Sequence, residues 1–232
     1  SLCMIVKNEE EVLGRCLDSV AGFPDEILVT DTGSTDGTKA AARERGARVF
    51  DFPWRDDFAA ARNFSFSPGP GDVSVLAGRR RCGAPDQRRK LLDLKERLGR
   101  ELCLPDVVMM RYAAAFRRDG SLAAAFFRER LIRRGPGAVW KGRVHETVCP
   151  FGIIWKEDIW IEHRKMRVRD PERNLRILES MRKNGEEFGP REQYYYEMER
   201  AFARRCREAA LEDRKLLTQP GNERFVNGRY LW

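Results

Sequence analysis

Met4-Ile5-Val6-Lys7-Asn8-Glu9-Glu10, followed by Ile27-Leu28-Val29-Thr30-Asp31-Thr32-Gly33-Ser34-Thr35-Asp36-Gly37-Thr38, is the stretch on which the reading of this chain turns. Each half runs from a short apolar segment into a polar, acidic loop. Short apolar runs bounded by turn residues read as buried strands, here Leu2–Val6 and Glu26–Thr30. Between them Leu13, Cys16, Leu17 and Val20 recur at helical spacing, which predicts a helix over Glu11–Ala21. Thr38–Arg45 reads as a second helix, stopped by Gly46 just past its end. Arg48–Phe52 reads as a third strand and Asp57–Phe66 as a helix; Pro68-Gly69-Pro70-Gly71 is a hard break, and Val73–Leu76 fits a fourth strand. Strands alternating with helices at this spacing imply a parallel sheet with helices on its faces. Such sheets take ligands at the carboxyl ends of their strands, and both loops lie there.

The loops carry suitable chemistry. An acidic residue at a strand end can accept hydrogen bonds from a base N–H or from ribose hydroxyls. Gly33 and Gly37 permit tight turns and close backbone approach. Ser34, Thr35 and Thr38 can cap the next helix, whose N-terminus favours anions. A pair of ordinary capped turns would use the same residue types, so the loops alone leave both readings open.

Composition sets the frame. The chain has 232 residues, 42% hydrophobic and 34% charged, enough for one sizeable α/β domain, alone or with a small helical appendage. No apolar run approaches the length of a membrane span, and the chain opens on a strand without a signal-peptide pattern. Six cysteines without a CxxC pair disfavour a zinc site or disulfide framework; they suit a reducing, cytoplasmic setting and read mostly as small buried side chains. The net charge is +8, yet residues 1–77 hold eight basic and thirteen acidic side chains. The basic excess therefore lies in the remainder, where it reads as solvated Arg-rich helix faces rather than a nucleic-acid surface.

Beyond residue 85 the pattern changes. Asp86–Leu98 is a strong helix carrying Leu91, Leu92, Leu94 and Leu98. Strand-like runs follow at Val107–Tyr112, Leu122–Phe127, Arg143–Val148, Ile153–Trp155 and Ile159–His163, with Asp119-Gly120 as a hairpin turn between the first two. From Pro171 the pattern is helical, over Arg173–Lys183, Glu192–Arg205 and Glu208–Leu217. Tyr194–Leu217 resembles a degraded helix-pair repeat of the tetratricopeptide kind. The reading gives a domain over 1–168 and a helical segment over 169–232.

Taken together, Met4–Glu10, Val29–Thr38 and the block Trp54, Asp57, Phe58, Ala61, Arg62, Asn63 resemble the opening of family-2 glycosyltransferases, in the bacterial branch often joined to tetratricopeptide repeats. The resemblance is strong over 1–66, fair over 85–190 and weak beyond. It implies a Rossmann-like GT-A fold that transfers sugar from a nucleoside-diphosphate donor, expected to be uridine-based, to a glycan, lipid or protein acceptor with inversion. It implies a nucleotide site made of Lys7, Asn8, Glu9, Asp31, Gly33, Ser34, Asp36, Arg62 and Asn63. Glu9 and Asp31 would contact the nucleoside, Asp31 at the base edge. Arg62 would meet the diphosphate, as a planar guanidinium suits phosphate oxygens; its structural alternative is an ion pair with Asp56 or Asp57. Asn63 would support the nucleotide loop.

The resemblance also implies an Asp-x-Asp string holding Mg²⁺ or Mn²⁺ through hard oxygen ligands near Ala77–Arg81. Gly71-Asp72 is in place, but Ala77-Gly78-Arg79-Arg80-Arg81 follows where the acids belong. Two readings stand. In one, arginines replace the metal as counter-charge to the diphosphate. In the other, the reading frame has slipped. With Leu76 ending in TG and the next codons GCT, GGA, CGC, CGA, CGA and TGT, the neighbouring frame encodes Trp-Leu-Asp-Ala-Asp-Asp-Val. Undoing that slip removes three arginines and adds three aspartates, which erases most of the basic excess.

Trp140-Lys141-Gly142-Arg143-Val144-His145-Glu146 is the second informative cluster. Imidazole and carboxylate are the usual bases, and imidazole is a common metal ligand. By resemblance His145 completes the metal site and Glu146 deprotonates the acceptor hydroxyl; a strand-end His beside a solvated Glu is the plain alternative. Arg128, Arg130 and Arg133 face either the diphosphate or solvent. His163 reads as structural, and Trp140 and Trp155 as core rather than sugar platforms. The leading function is glycosyl transfer. Its alternative is a catalytically impaired glycosyltransferase fold serving as a nucleotide-binding or interaction scaffold.

Overall fold

The computed structural model describes residues 1–68, 73–77, 81–82, 85–117, 119, 121–162 and 170–217; those at 73–77, 81–82, 85, 162 and 209–217 are described by backbone alone. The chain forms two compact units, Ser1–Lys165 and Met166–Trp232. In the first, strand–helix alternation runs β1 (Leu2–Val6), α1 (Glu10–Asp18), β2 (Ile27–Asp31), α2 (Thr38–Arg43), β3 (Arg48–Asp51), α3 (Phe58–Phe66) and β4 (Val73–Ala77). A short β5 (Arg81–Cys82), the long α4 (Pro85–Arg100) and the strands β6 (Val107–Phe116), β7 (Leu122–Arg133) and β8 (Ile154–Glu162) complete it.

All eight strands join one sheet in the order β3-β2-β1-β4-β7-β6-β8-β5. β3, β2, β1 and β4 run parallel, β7 is antiparallel to both β4 and β6, and β8 is parallel to β6. The winding direction reverses between β1 and β4, and the crevice outside the carboxyl ends of such a pair is the site the topology provides. This is the GT-A arrangement, a Rossmann-like half extended by a mixed half.

Strand alternation sends successive side chains to opposite faces. Leu2, Met4 and Val6 of β1 pack with Leu13, Cys16 and Leu17 of α1 and with Leu91 and Leu94 of α4. Cys3 and Leu28 face the other side, with Ala59 and Phe66 of α3, Ile132, Trp140 and Val148. Helices on both faces explain why β1 and β2 are near-continuous apolar runs.

The structure moves several boundaries. Arg143–Val148 is no strand: it lies in a turn closed by a single bridge between Lys141 and Thr147. The two runs expected at Ile153–Trp155 and Ile159–His163 fall, as far as they are described, on one strand, β8 (Ile154–Glu162), whose pairing with β6 slips between Met110 and Arg111. The bulge there leaves Asp158 and Ile159 unpaired with β6, at the end of the polar Lys156-Glu157-Asp158 run that made two strands of one. β6 and β7 form the hairpin expected around Asp119-Gly120. Among the described cysteines, all of them thiols, only Cys3 and Cys16 are buried; Cys103 and Cys149 are exposed and Cys206 half-buried. The expectation of mostly buried cysteines therefore fails, because these last three lie on a loop, in a strand-free segment and on a helix side.

In the second unit α5 (Arg173–Lys183) packs on α6 (Pro190–Leu217). Leu175, Ile177, Leu178, Met181, Tyr196 and Ala203 are buried, and Asn174 Nδ2 donates to Glu199 Oε1 at 2.9 Å. α6 is continuous where two helices, Glu192–Arg205 and Glu208–Leu217, were expected. Nothing between Arg205 and Glu208 breaks a helix, and Arg204 pairs with Glu208 across the junction at 2.8 Å. The helix pair is thus α5 with α6, rather than one within Tyr194–Leu217. Among the described residues no helix is long and apolar enough to cross a membrane.

Candidate functional site

The two loops that open the sequence reading interlock. Val6 pairs with Asp31 in the parallel ladder, so both loops leave the sheet side by side. The Thr32 amide donates to Val6 O at 2.9 Å and its hydroxyl donates to the same carbonyl at 3.0 Å. The Asn8 amide donates to Ser34 Oγ at 2.8 Å, and Asn8 Oδ1 accepts from the Thr35 amide at 2.8 Å. The Glu9 amide donates to Thr38 Oγ1 at 2.7 Å, and Glu10 Oε2 accepts from the Gly37 amide at 3.0 Å. Asn8 holds this exchange at φ 53°, a left-handed conformation that asparagine tolerates better than most residues. Lys7 is exposed at the rim, and the Glu9 residue is 9% exposed at the head of α1.

Asp31 ends β2 with its side chain fully buried. Oδ2 accepts from the Gly33 amide at 3.1 Å and the Ser34 amide at 2.9 Å, an Asx turn that needs Gly33 at φ 101°. Oδ1 is buried with no hydrogen-bond partner, a costly state for a carboxylate oxygen unless something else supplies a donor. The nearby cation is Lys39 on α2, whose Nζ lies 3.8 Å from Asp31 Oδ2 and 2.5 Å from Asp51 Oδ1 on β3. The hydrogen bond to Asp51 raises the Lys39 pKa above the ordinary lysine value. Asp36 shifts the other way. Desolvation pushes it up, but hydrogen bonds from the Thr38 hydroxyl, the Thr38 amide and the Glu10 amide outweigh this and hold it below the usual carboxylate value.

A second constellation joins α3 to the 141–147 turn. Asp57 caps α3 by accepting from the Ala60 amide at 2.8 Å. On the helix, Phe58 and, about one turn later, the adjacent Arg62 and Asn63 grip three points of the turn. The Phe58 amide donates to Arg143 O at 2.8 Å. Asn63 Nδ2 donates to Trp140 O at 3.1 Å while Asn63 Oδ1 accepts from the Trp140 amide at 2.9 Å. Arg62 Nε donates to Glu146 Oε1 at 2.6 Å, and the guanidinium lies 4.9 Å from the centre of the Trp140 ring. Reciprocal amide–carbonyl bonds at 2.9 and 3.1 Å between Lys141 and Thr147 close the turn. Gly142 at φ 91° and His145 at φ 51° bend it. For histidine that conformation costs about 1–2 kcal/mol, which the surrounding bonds must offset.

These placements revise the sequence reading. The ion partner of Arg62 is Glu146 rather than Asp56 or Asp57, which bond Trp54 Nε1 and cap α3 respectively. Asn63 braces Trp140 rather than the nucleotide loop. Trp140 is core, 4% exposed, and Trp155 is partly buried against the core. Arg130 is buried with its guanidinium 5.2 Å from the Tyr112 ring; Arg128 bonds Glu129 and Arg133 pairs with Asp106, so these arginines serve strands β6 and β7. His163, Gly78, Arg79 and Arg80 lie outside the described residues. Lys39 and Asp51 were missed, because a lysine inside a helix and an aspartate ending a strand carry no motif; only strand adjacency joins them.

Among the described residues a divalent cation finds no fitting set of ligands. Among the described residues no group of three or more His, Cys, Asp and Glu side chains converges as a metal site would require. β4 does end beside β1, Ala77 opposite Met4, where an acidic string would border the crevice. The sequence there supplies arginines.

Several known proteins are similar to parts of this chain. A tetratricopeptide repeat-containing protein of Synechococcus elongatus is 53% identical over 72 residues, 31% of this chain and 18% of that protein. An uncharacterised glycosyltransferase of Rickettsia felis is 43% identical over 54 residues, 23% of this chain and 19% of that protein. The matches thus span less than a fifth of these relatives' length. A solved glucosyl-3-phosphoglycerate synthase of Mycobacterium tuberculosis, bound to Mn²⁺, uridine diphosphate and glucosyl-3-phosphoglycerate, is 25% identical over 48% of this chain and 43% of its own, with a TM-score of 0.37. The family model of glycosyl transferase family 2 matches residues 1–160, and the chain belongs to that family.

Proposed function

We propose that this chain carries the donor-binding and reacting core of an enzyme that moves a sugar from a nucleoside diphosphate, uridine-based by preference, to an acceptor hydroxyl with inversion at the anomeric carbon. The observation that carries the reading is the buried Asp31 carboxylate, with Oδ2 doubly bonded and Oδ1 lacking a donor, at the tip of the strand beside β1. A base N–H is such a donor. Lys7, Asn8, Glu9, Gly33, Ser34 and Asp36 would form the surrounding nucleotide loops. In an inverting displacement the acceptor oxygen attacks opposite the departing diphosphate and its proton passes to a base. Glu146, with His145 beside it, is assigned to that end. Members of this family with an Asp-x-Asp string use Mg²⁺ or Mn²⁺; the described residues here do not fit such an ion.

A second reading has a specific observation behind it. With arginines in place of the acidic string, the fold would bind nucleotide without turnover and act as a scaffold. Calorimetric titration with uridine diphosphate, followed by an assay of UDP-glucose hydrolysis with and without Mn²⁺, separates the two. Turnover supports the transferase, binding without turnover supports the scaffold, and the absence of binding overturns both.

A further inference from the structure

We propose that Arg62 is a positioning residue, acting through Glu146 and Trp140 to fix the 141–147 turn at the reacting end; this rests on the transfer reading above. The sequence suggested a ligand for the diphosphate, but the geometry points to a different task. Nε is committed to Glu146 Oε1 at 2.6 Å, and the two side chains are only 15% and 13% exposed. A charge-assisted bond shielded from water to that degree is strong and directional. The guanidinium face is used as well, against the Trp140 ring at 4.9 Å. The next residue, Asn63, locks the Trp140 backbone through both its amide and its carbonyl. Phe58, one helical turn earlier, holds Arg143 O.

Three side-by-side positions of α3 thus clamp the start, middle and end of the turn whose tip carries His145 and Glu146. A conformation as unfavourable as His145 at φ 51° persists only where neighbours over-determine it. Arg62 supplies a charged contact in this clamp. Removing it frees Glu146 to swing and relaxes the turn. Misplacing a reacting group by about 1 Å costs on the order of 100-fold in rate.

The test compares wild type with Arg62→Lys, Arg62→Gln, Glu146→Gln and the double variant Arg62→Gln/Glu146→Gln. UDP-glucose turnover, uridine diphosphate affinity by calorimetry, and amide exchange over Val144–Thr147 are measured. For Arg62→Gln the expected result is a drop in kcat of about 10- to 100-fold. UDP affinity and the donor KM stay within about twofold, and amide exchange in the turn is faster by about tenfold or more. Arg62→Lys recovers part of kcat, and the double variant is no worse than the poorer single one, because both substitutions break one contact. Loss of UDP affinity with unchanged exchange in the turn would make Arg62 a phosphate ligand and overturn the proposal. Unchanged kcat with faster exchange would overturn it too, leaving a purely structural clamp. If the wild type neither binds nor turns over nucleotide, the transfer reading fails and the positioning role falls with it; turnover in the wild type with unchanged exchange in Arg62→Gln overturns the positioning role alone.

Discussion

Asp31 is the side chain on which the proposed nucleotide site depends most. Replacing it with asparagine keeps the shape but removes the charge and puts an N–H where an acceptor is required. Uridine diphosphate affinity is expected to fall about 10- to 100-fold, the worth of a hydrogen bond to a charged group, as read by calorimetry on Asp31→Asn. Asp36 gives a second residue-level expectation. Its folded pKa lies below the ordinary value of 3.8 because hydrogen bonds from Thr38 and Glu10 win over desolvation. A depressed carboxylate contributes stability that is fully present above its unfolded value and is lost as pH falls through its folded value. The junction between the two loops should therefore hold down through pH 3.8 and loosen only below it. An NMR titration of the Asp36 carboxyl carbon checks the midpoint, and Asp36→Asn should abolish that acid limb. The motif at Asp31–Thr38 was legible because glycines, caps and an acid at fixed offsets have a local cause. Lys39 was not, since its partners Asp31 and Asp51 come from two different strands.

Helix α3 is the element that holds the 141–147 turn, the proposed reacting end. Its start depends on Asp57, and Asp57→Ala should cost about 1 kcal/mol in urea unfolding, the usual value of an N-cap. Asn63 matters more, since its substitution strands both the amide and the carbonyl of a buried tryptophan. Asn63→Ala should cost about 1–3 kcal/mol by the same measurement. The helix itself was readable from the sequence. The turn it clamps was not: Val144 and Val148 at alternating positions with Thr147 look like a strand, and only Gly142 hinted otherwise. Local β propensity was overridden by positive φ at Gly142 and His145, which bend the chain before a ladder can form. In α6 the opposite happened, and a helix drawn as two runs straight through because no residue between them breaks it.

At the scale of the molecule, the sheet order sets one crevice between β1 and β4, and β4 ends at the point where the family carries its acids. A chain rebuilt with Trp-Leu-Asp-Ala-Asp-Asp-Val in place of residues 76–82 should bind Mn²⁺ in the presence of uridine diphosphate, while the chain as it stands should not. Calorimetry on the pair checks this. The underlying DNA checks the frame directly: the slip is wrong if no frame there encodes that acidic string.

The sequence by itself determined the parallel α/β half, the two acidic loops at the ends of β1 and β2 and the family, because apolar periodicity, glycine turns and helix caps act over a few residues. Tertiary structure alone decided that Arg62 meets Glu146, that Asn63 braces Trp140 and that Lys39 lies between two aspartates. Those pairs are separated by up to 84 residues along the chain, and only the packing of strands and helices brings such distant charges within a few ångströms.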